Sequence, residues 1–85
     1  MDIGVEISLY PLTQQYLTPI RSLIARLEAE PQLRVVTNSL STQVFGEYDL
    51  VMRTLERELR VALAAALAAG QRVVWFAKFI GPLGD

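Results

Sequence analysis

Residues 33–49, LRVVTNSLSTQVFGEYD, contain the stretch that decides the fold. The first part, LRVVT, is rich in β-branched residues, and LSTQVF at residues 40–45 shows a second strand pattern. Asn38 and Ser39 lie between the two segments and favour a turn. Two short strands joined by a polar corner predict a β-hairpin.

A helix is predicted to follow this hairpin. Gly46 is expected to end the strand, and Glu47 and Asp49 lie where negative charge stabilises a helix N-terminus. Apolar residues recur at helical spacing: Val51, Met52, Leu55, Leu59, Ala62, Leu63 and Ala66. Five charged residues are expected on the solvent-exposed side: Arg53, Glu56, Arg57, Glu58 and Arg60. Gly70 is placed to end the helix.

The flanking segments complete the pattern. Residues 3–9 alternate between apolar and polar positions, as a half-buried strand does. A first helix is expected from Thr18, as its N-cap, with Pro19 at the first helical position, to about Glu30. Residues 72–80, RVVWFAKFI, predict a last strand. The order β-α-β-β-α-β predicts an α+β, ferredoxin-like fold, with a four-stranded antiparallel sheet and two helices on one face.

The length and composition favour one small domain that associates with itself. The chain has 85 residues, of which 52% are hydrophobic, so residues 1–85 are expected to form a single domain. A core of this size leaves part of the sheet uncovered. We therefore expect a second copy of the chain to cover it, in a homodimer or homotetramer.

The charge and residue types exclude several classes of function. The net charge of −1 disfavours nucleic acid and anionic membranes as partners. The sequence has no cysteine and no histidine, which removes the commonest nucleophiles, bases and zinc ligands. We expect no catalytic residue, no metal site and no enzyme activity. No signal peptide or membrane-spanning run is visible, so a cytoplasmic protein without membrane insertion is expected.

Polar and aromatic side chains are expected to gather on the open face of the sheet. The predicted topology places the first and third strands side by side, with Leu40, Thr42 and Val44 facing the helices. The open face then carries Glu6, Ser8, Tyr10, Ser41, Gln43 and Phe45. Aromatic rings, a carboxylate and neutral hydrogen-bonding groups suit a flat heteroaromatic ligand, ideally a cationic one, that is bound and not transformed.

Three segments resemble the thiamine-binding protein family of YkoF-like domains: EISLYPL at 6–12, TNSLSTQVFGEYD at 37–49 and KFI at 78–80. The central segment is the most specific of the three. The resemblance implies a ferredoxin-like domain that binds thiamine or its hydroxymethylpyrimidine moiety and assembles as dimers or tetramers. It implies no catalytic activity and no cofactor other than that ligand.

The resemblance also implies a role and a set of site residues. The implied role is an intracellular carrier, buffer or sensor of vitamin B1, associated with uptake of thiamine precursors. Transferred to this sequence, the implied neighbours of the ligand are Glu6, Ser8, Tyr10, Asn38, Ser41, Thr42, Gln43 and Phe45. Whether the ligand is thiamine, its pyrimidine half or a phosphorylated form stays open, as does a site within one chain or between two.

Each of these residues also has a structural interpretation. Glu6 in the middle of a central strand needs a partner, which Lys78 could supply as an ion pair. Asn38 can form the hairpin turn without contacting a ligand. Ser41 and Gln43 suit solvated strand positions or a subunit interface. Thr42, which is expected to face the helices, favours a structural role.

Three other functions compete with ligand binding. The main alternative is a structural homo-oligomeric assembly domain whose sheet faces pack on one another without a ligand. An acylphosphatase-like enzyme would need an arginine in the loop after the first strand, and PLTQQYLT at residues 11–18 contains no Arg or Lys. RNA binding on the sheet face is supported only by Tyr10 and Phe45 and is opposed by the charge balance.

Overall fold

The computed structural model describes residues 1–84. The elements are β1 Asp2–Pro11, α1 Leu17–Glu28, β2 Arg34–Thr37, β3 Thr42–Glu47, α2 Tyr48–Ala68 and β4 Val73–Leu83. The four strands form one sheet in the order β2-β3-β1-β4, and every neighbouring pair is antiparallel. The predicted ferredoxin-like fold is therefore confirmed.

The core lies between the two helices and one face of the sheet. Ile3, Val5, Ile7 and Leu9 of β1 are buried, as their alternating pattern predicts. They form one cluster with six further buried residues: Leu23, Leu27, Leu33, Val44, Val51 and Leu55. Because β1 is central, its apolar side contacts both neighbouring strands' inner residues and both helices.

Both predicted ends of the first helix are wrong by two residues. The N-cap is Tyr16, and no side chain bonds to the helix N-terminus there, so Thr18 lies within the first turn. Pro19 is then the third helical residue, where a missing N–H is also tolerated because the first four lack intrahelical acceptors. The helix ends at Glu28 and not at Glu30, since the N–H of Glu30 bonds to the carbonyl of Leu27.

The hairpin corner is longer than predicted. The Asn38 Oδ1 accepts hydrogen bonds from the backbone N–H groups of Leu40 (2.8 Å) and Ser41 (3.1 Å). The Asn38 N–H bonds in turn to the carbonyl of Ser41 at 3.1 Å. Strand β3 therefore begins at Thr42, and Leu40, which was predicted to face the helices, is 88% exposed.

Two strands run further than predicted. Strand β3 continues through Gly46 to Glu47, whose side chain accepts a hydrogen bond from the N–H of Leu50 at 3.1 Å and caps α2. The expected acidic start of this helix is thus confirmed. Strand β4 continues past Ile80 to Leu83, which pairs with Asp2.

Glu58 is not on the exposed side of α2, in contrast to the prediction. Its side chain is 1% exposed, and its two carboxylate oxygens accept hydrogen bonds from Arg26 Nε at 2.5 Å and Arg57 Nε at 3.1 Å. Glu58 follows Leu55 by three residues and precedes Ala62 by four. The helical period therefore places Glu58 in the apolar stripe. The prediction put it on the exposed side only because it is charged.

Neither helix within residues 1–84 is both long and apolar enough to cross a lipid bilayer.

Replacement of Gly46 by alanine is expected to destabilise the fold. A Cβ atom there would lie 2.7 Å from Leu33 Cδ2 and 3.4 Å from Val51 Cγ2, and both neighbours are buried. Overpacking of this kind costs about 1–3 kcal/mol of unfolding free energy. Urea denaturation would measure the cost, with Gly84→Ala as the control because a Cβ there meets no described atom within 4 Å. Equal stability of the two variants would contradict this account of β3.

Candidate functional site

A cleft forms where β1 outruns its neighbour β3. The β1–β3 register ends at the pair Ile7 and Thr42, but β1 itself continues to Pro11. The space beside the end of β1 is bounded by α1 and by residues 37–41 of the hairpin corner. We call this space, of about 480 Å³, the corner cleft. Its size falls in the range of small-molecule sites.

Five of the eight residues that the sequence assigned to a site line the corner cleft: Ser8, Tyr10, Asn38, Ser41 and Thr42. Thr42 is buried beside Ile7 on the helix side of the sheet, as predicted. Tyr10 is exposed at the rim of the cleft. The corner cleft therefore contains residues from both sheet faces, because no β3 residue pairs with this part of β1 and separates the two faces.

The other three assigned residues lie outside the lining. Glu6 and Gln43 are paired across β1 and β3 on the open face, next to the cleft. Phe45 is further away, opposite Gly4, and the guanidinium carbon of Arg34 lies 4.1 Å from the centre of its ring. Phe45 thus makes a cation–π contact at the far end of the sheet and does not line the corner cleft.

Glu6 is linked to the cleft through Ser41. The Ser41 hydroxyl donates to Glu6 Oε2 at 3.0 Å, and Lys78 Nζ lies 3.4 Å from Glu6 Oε1. The hydrogen bond from Ser41 and, after it, that from Lys78 lower the pKa of Glu6 from 4.5. The ion pair with Lys78 therefore exists, but both side chains are partly exposed, so the carboxylate stays accessible to a ligand.

Asn38 has a structural role in addition to its place in the cleft. Its side-chain oxygen is occupied by the two backbone N–H groups of the corner. Its amide nitrogen donates no hydrogen bond within residues 1–84. Asn38 can therefore hold the turn with one atom and offer the other to a ligand.

The sequence did not identify the apolar side of the cleft. This side is formed by Leu12, Tyr16, Ile20 and Ile24, from the loop after β1 and from α1. Ile20 and Ile24 follow a helical period, which in the sequence indicates a core position and not a ligand site. Tyr16 lies in a loop without periodicity, so no sequence signal connects it with Tyr10. Only the packing of α1 against β1 brings the two tyrosines to the same cleft.

The cleft offers groups for binding a ring. Hydroxyls and an amide surround an apolar interior with two tyrosines, and no Lys, Arg, Asp or Glu lines it. Such surroundings suit a flat, polar heterocycle, whose faces pack on apolar groups while its edge accepts and donates hydrogen bonds. Among residues 1–84, no three Asp or Glu side chains are grouped as a metal site requires.

No protein-family model and no curated protein matches this chain. Solved structures do match it. A Thermotoga maritima protein, provisionally assigned to thiamine biosynthesis or salvage, has a TM-score of 0.81 and 17% identity, over 96% of this chain and 85% of that one.

Two further solved structures have a similar fold. A Streptococcus pneumoniae protein has a TM-score of 0.81 and 26% identity, over 100% of this chain and 89% of the other. A hypothetical protein of Methanocaldococcus jannascii has a TM-score of 0.79 and 20% identity, over 99% and 84%. These likenesses support the ferredoxin-like fold.

Ser41→Ala is expected to raise the pKa of Glu6 toward 4.5, because the serine hydroxyl is the strongest influence that lowers it. Carbon-detected NMR titration of the Glu6 carboxyl would measure the change, with Ser39→Ala as the control. An unchanged titration in Ser41→Ala would contradict the hydrogen bond.

The same pKa sets a pH dependence of stability. A carboxyl with a lower pKa in the folded chain stabilises the fold above its unfolded value, near 4.5, and this contribution is lost as the pH falls through the folded value. Any stability difference between the parent protein and Glu6→Gln that arises from this shift should therefore be present at neutral pH and shrink below about pH 4.5.

Proposed function

We propose that this protein binds thiamine or its hydroxymethylpyrimidine moiety in the corner cleft and does not transform it. The observation that carries the proposal is the convergence of Ser8, Tyr10, Asn38, Ser41 and Thr42 on one cleft beside an accessible carboxylate. An aminopyrimidine has ring nitrogens that accept hydrogen bonds and an amino group that donates them. Hydroxyls can do either, and the free amide nitrogen of Asn38 can donate.

The position of Glu6 also suits thiamine. The thiazolium ring of thiamine carries a positive charge, and the lowered pKa keeps Glu6 ionised at neutral pH. With the pyrimidine in the cleft, a thiazolium ring near Ser41 would lie within reach of this carboxylate. Tyr10 at the rim can pack against either ring.

Two similarities support the proposal. The segments that contribute Ser8, Tyr10 and the hairpin corner are those that resemble the thiamine-binding family of YkoF-like domains. The Thermotoga maritima protein with the same fold is provisionally assigned to thiamine biosynthesis or salvage. We infer a cytoplasmic carrier, buffer or sensor of the vitamin, linked to uptake of its precursors.

Asn38→Asp is expected to weaken ligand binding by about tenfold or more while preserving the turn. Aspartate keeps an oxygen for the N–H groups of Leu40 and Ser41 but removes the amide donor. Isothermal titration calorimetry with thiamine and with hydroxymethylpyrimidine would measure the affinities. Tyr10→Ala should also weaken binding, whereas Tyr48→Ala, an exposed tyrosine outside the cleft, should leave it unchanged.

Saturable binding of both compounds, with the expected order of variants, would support the proposal. Binding of thiamine without binding of hydroxymethylpyrimidine would mean that the thiazolium ring is the part recognised. No heat with either compound from the folded parent protein would refute the proposed ligand.

Self-association is a second candidate function, and the open face of the sheet favours it. Four apolar side chains on this face are about half exposed or more: Tyr10, Val74, Phe76 and Ile80. They form an apolar band along β1 and β4 that the Glu6–Lys78 pair interrupts, between Phe76 and Ile80, and exposed apolar surface of this kind marks an interface. We propose that a second copy covers this face, in a dimer or tetramer, as the small core leads us to expect.

Phe76→Glu is expected to shift the protein toward the monomer, because it places a charge in the middle of the apolar band. Size-exclusion chromatography with light scattering would measure the mass of the parent and the variant. Leu67→Glu is the control, since Leu67 is 82% exposed near the end of α2, away from the sheet. A monomeric parent protein would refute self-association, and an unchanged oligomer in Phe76→Glu would move the interface to another face.

A further inference from the structure

A second cleft opens between the two helices. It lies above the ends of β1 and β4, has a volume of about 550 Å³, and does not include the hairpin corner. We call it the helix cleft. The space exists because three of the five α2 residues that line it are small, namely Ala62, Ala65 and Ala66. Larger residues at these positions would close the gap between the helices.

The interior of the helix cleft is mainly apolar, with a polar mouth. Leu9, Leu23 and Val73 contribute aliphatic groups, and Trp75 contributes an aromatic surface. At the mouth, the Gln71 side-chain amide donates to the Thr13 hydroxyl at 3.2 Å. This bond, with that from the Leu12 N–H to the Arg72 carbonyl (3.1 Å), ties the two segments that border the opening. The cleft is therefore bounded by fixed elements.

Arg26 lies in the wall of this cleft and is held by the buried carboxylate of Glu58. Its Nε atom donates to Glu58 Oε1 at 2.5 Å, while its side chain is 41% exposed. An arginine has five N–H donors, and this bond uses one. Within residues 1–84, the Arg26 side chain makes no other hydrogen bond, so the donors on its Nη atoms remain available.

Arg26, Arg57 and Glu58 form an ionic cluster with an excess of positive charge. Glu58 pairs with both Arg26 and Arg57, so one carboxylate neutralises only one of two guanidinium groups. Arg26 and Arg72 are the two cations of the cleft lining, and Glu58 is its one carboxylate. A buried carboxylate seldom adds more stability than a well-packed apolar residue would. Here it fixes the guanidinium of Arg26, which lowers the entropy cost of binding an anion.

We propose that the helix cleft is a second ligand site, which binds a small organic monoanion with a carboxylate group and an apolar or aromatic body. The carboxylate would pair with the free edge of Arg26, whose planar fork matches two oxygens. The body would lie against Trp75 and the alanines of α2. A monoanion is favoured over a doubly charged phosphate because Arg26 and Arg72 together with Glu58 give the lining a net charge of +1. This site shares Leu9, Pro11 and Leu23 with the corner cleft but none of its polar residues, and it goes beyond the proposed function.

Hydrocinnamate is a suitable probe, with the neutral hydrocinnamide as its matched control. Trp75 is the only tryptophan of the sequence and lines the helix cleft, so its fluorescence reports on this site alone. We expect saturable quenching or enhancement by hydrocinnamate and an affinity for hydrocinnamide that is lower by about tenfold or more, because the amide lacks the charge. Calorimetry would provide an independent measure of the same affinity.

Two variants test the location of the site. Ala65→Leu fills the helix cleft from α2 and should abolish binding, whereas Ala64→Leu adds the same side chain outside the lining and should not. Arg26→Lys keeps the charge but loses the planar fork, and should weaken binding by about tenfold. Arg60→Lys, at the exposed pair with Glu56, is its control. Asn38→Asp in the corner cleft should leave hydrocinnamate binding unchanged.

The absence of any response to hydrocinnamate in the parent protein would overturn the proposal. Equal affinity for hydrocinnamide would overturn the role of Arg26, and an equal loss in Ala64→Leu and Ala65→Leu would overturn the location. Because leucine is a favourable helix residue, a folding failure is not expected in either alanine variant, and circular dichroism would verify this. The hydrocinnamate experiments test this proposal without reference to thiamine binding, which is tested in the corner cleft.

Discussion

The position of β1 at the centre of the sheet is the constraint on which the rest of the structure depends. Its side chains alternate, so Ile3, Val5 and Ile7 anchor the core while Glu6 and Ser8 lie on the opposite face. A shift of one residue in its register would exchange these two sets and bury a carboxylate. The packing of the apolar side of β1 in the core thus determines which polar side chains lie at the candidate site.

The corner cleft follows from a difference in length between two paired strands. β1 continues for four residues beyond its last pair with β3, from Ser8 to Pro11. The delay in the start of β3 comes from Asn38, whose side chain replaces strand hydrogen bonds at the corner. The same residue therefore creates the space and borders it. A turn-forming role and a ligand-binding role are therefore compatible in Asn38.

Glu6 and Glu58 show how the degree of burial changes the role of a glutamate side chain. Glu6 is partly exposed, is bonded to Ser41, and stays accessible next to the corner cleft. Glu58 is buried and requires two arginines to compensate for its lost hydration. Glu6 is thus paired with Lys78 but still accessible, whereas Glu58 is enclosed and holds Arg26. The two proposed sites would consequently prefer ligands of opposite charge.

The sequence by itself determined the order of elements and the inner face of β1, because periodicity and β-branched residues report local structure directly. It also selected Ser8, Tyr10, Asn38, Ser41 and Thr42, which share one cleft. The ends of α1 and β3, the exposure of Leu40 and the burial of Glu58 depended on the tertiary structure. The position of Tyr16 in the corner cleft and the existence of the helix cleft also depended on the tertiary structure. These features arise from contacts between residues far apart in the chain, such as Arg26 and Glu58, and local patterns do not encode such pairs.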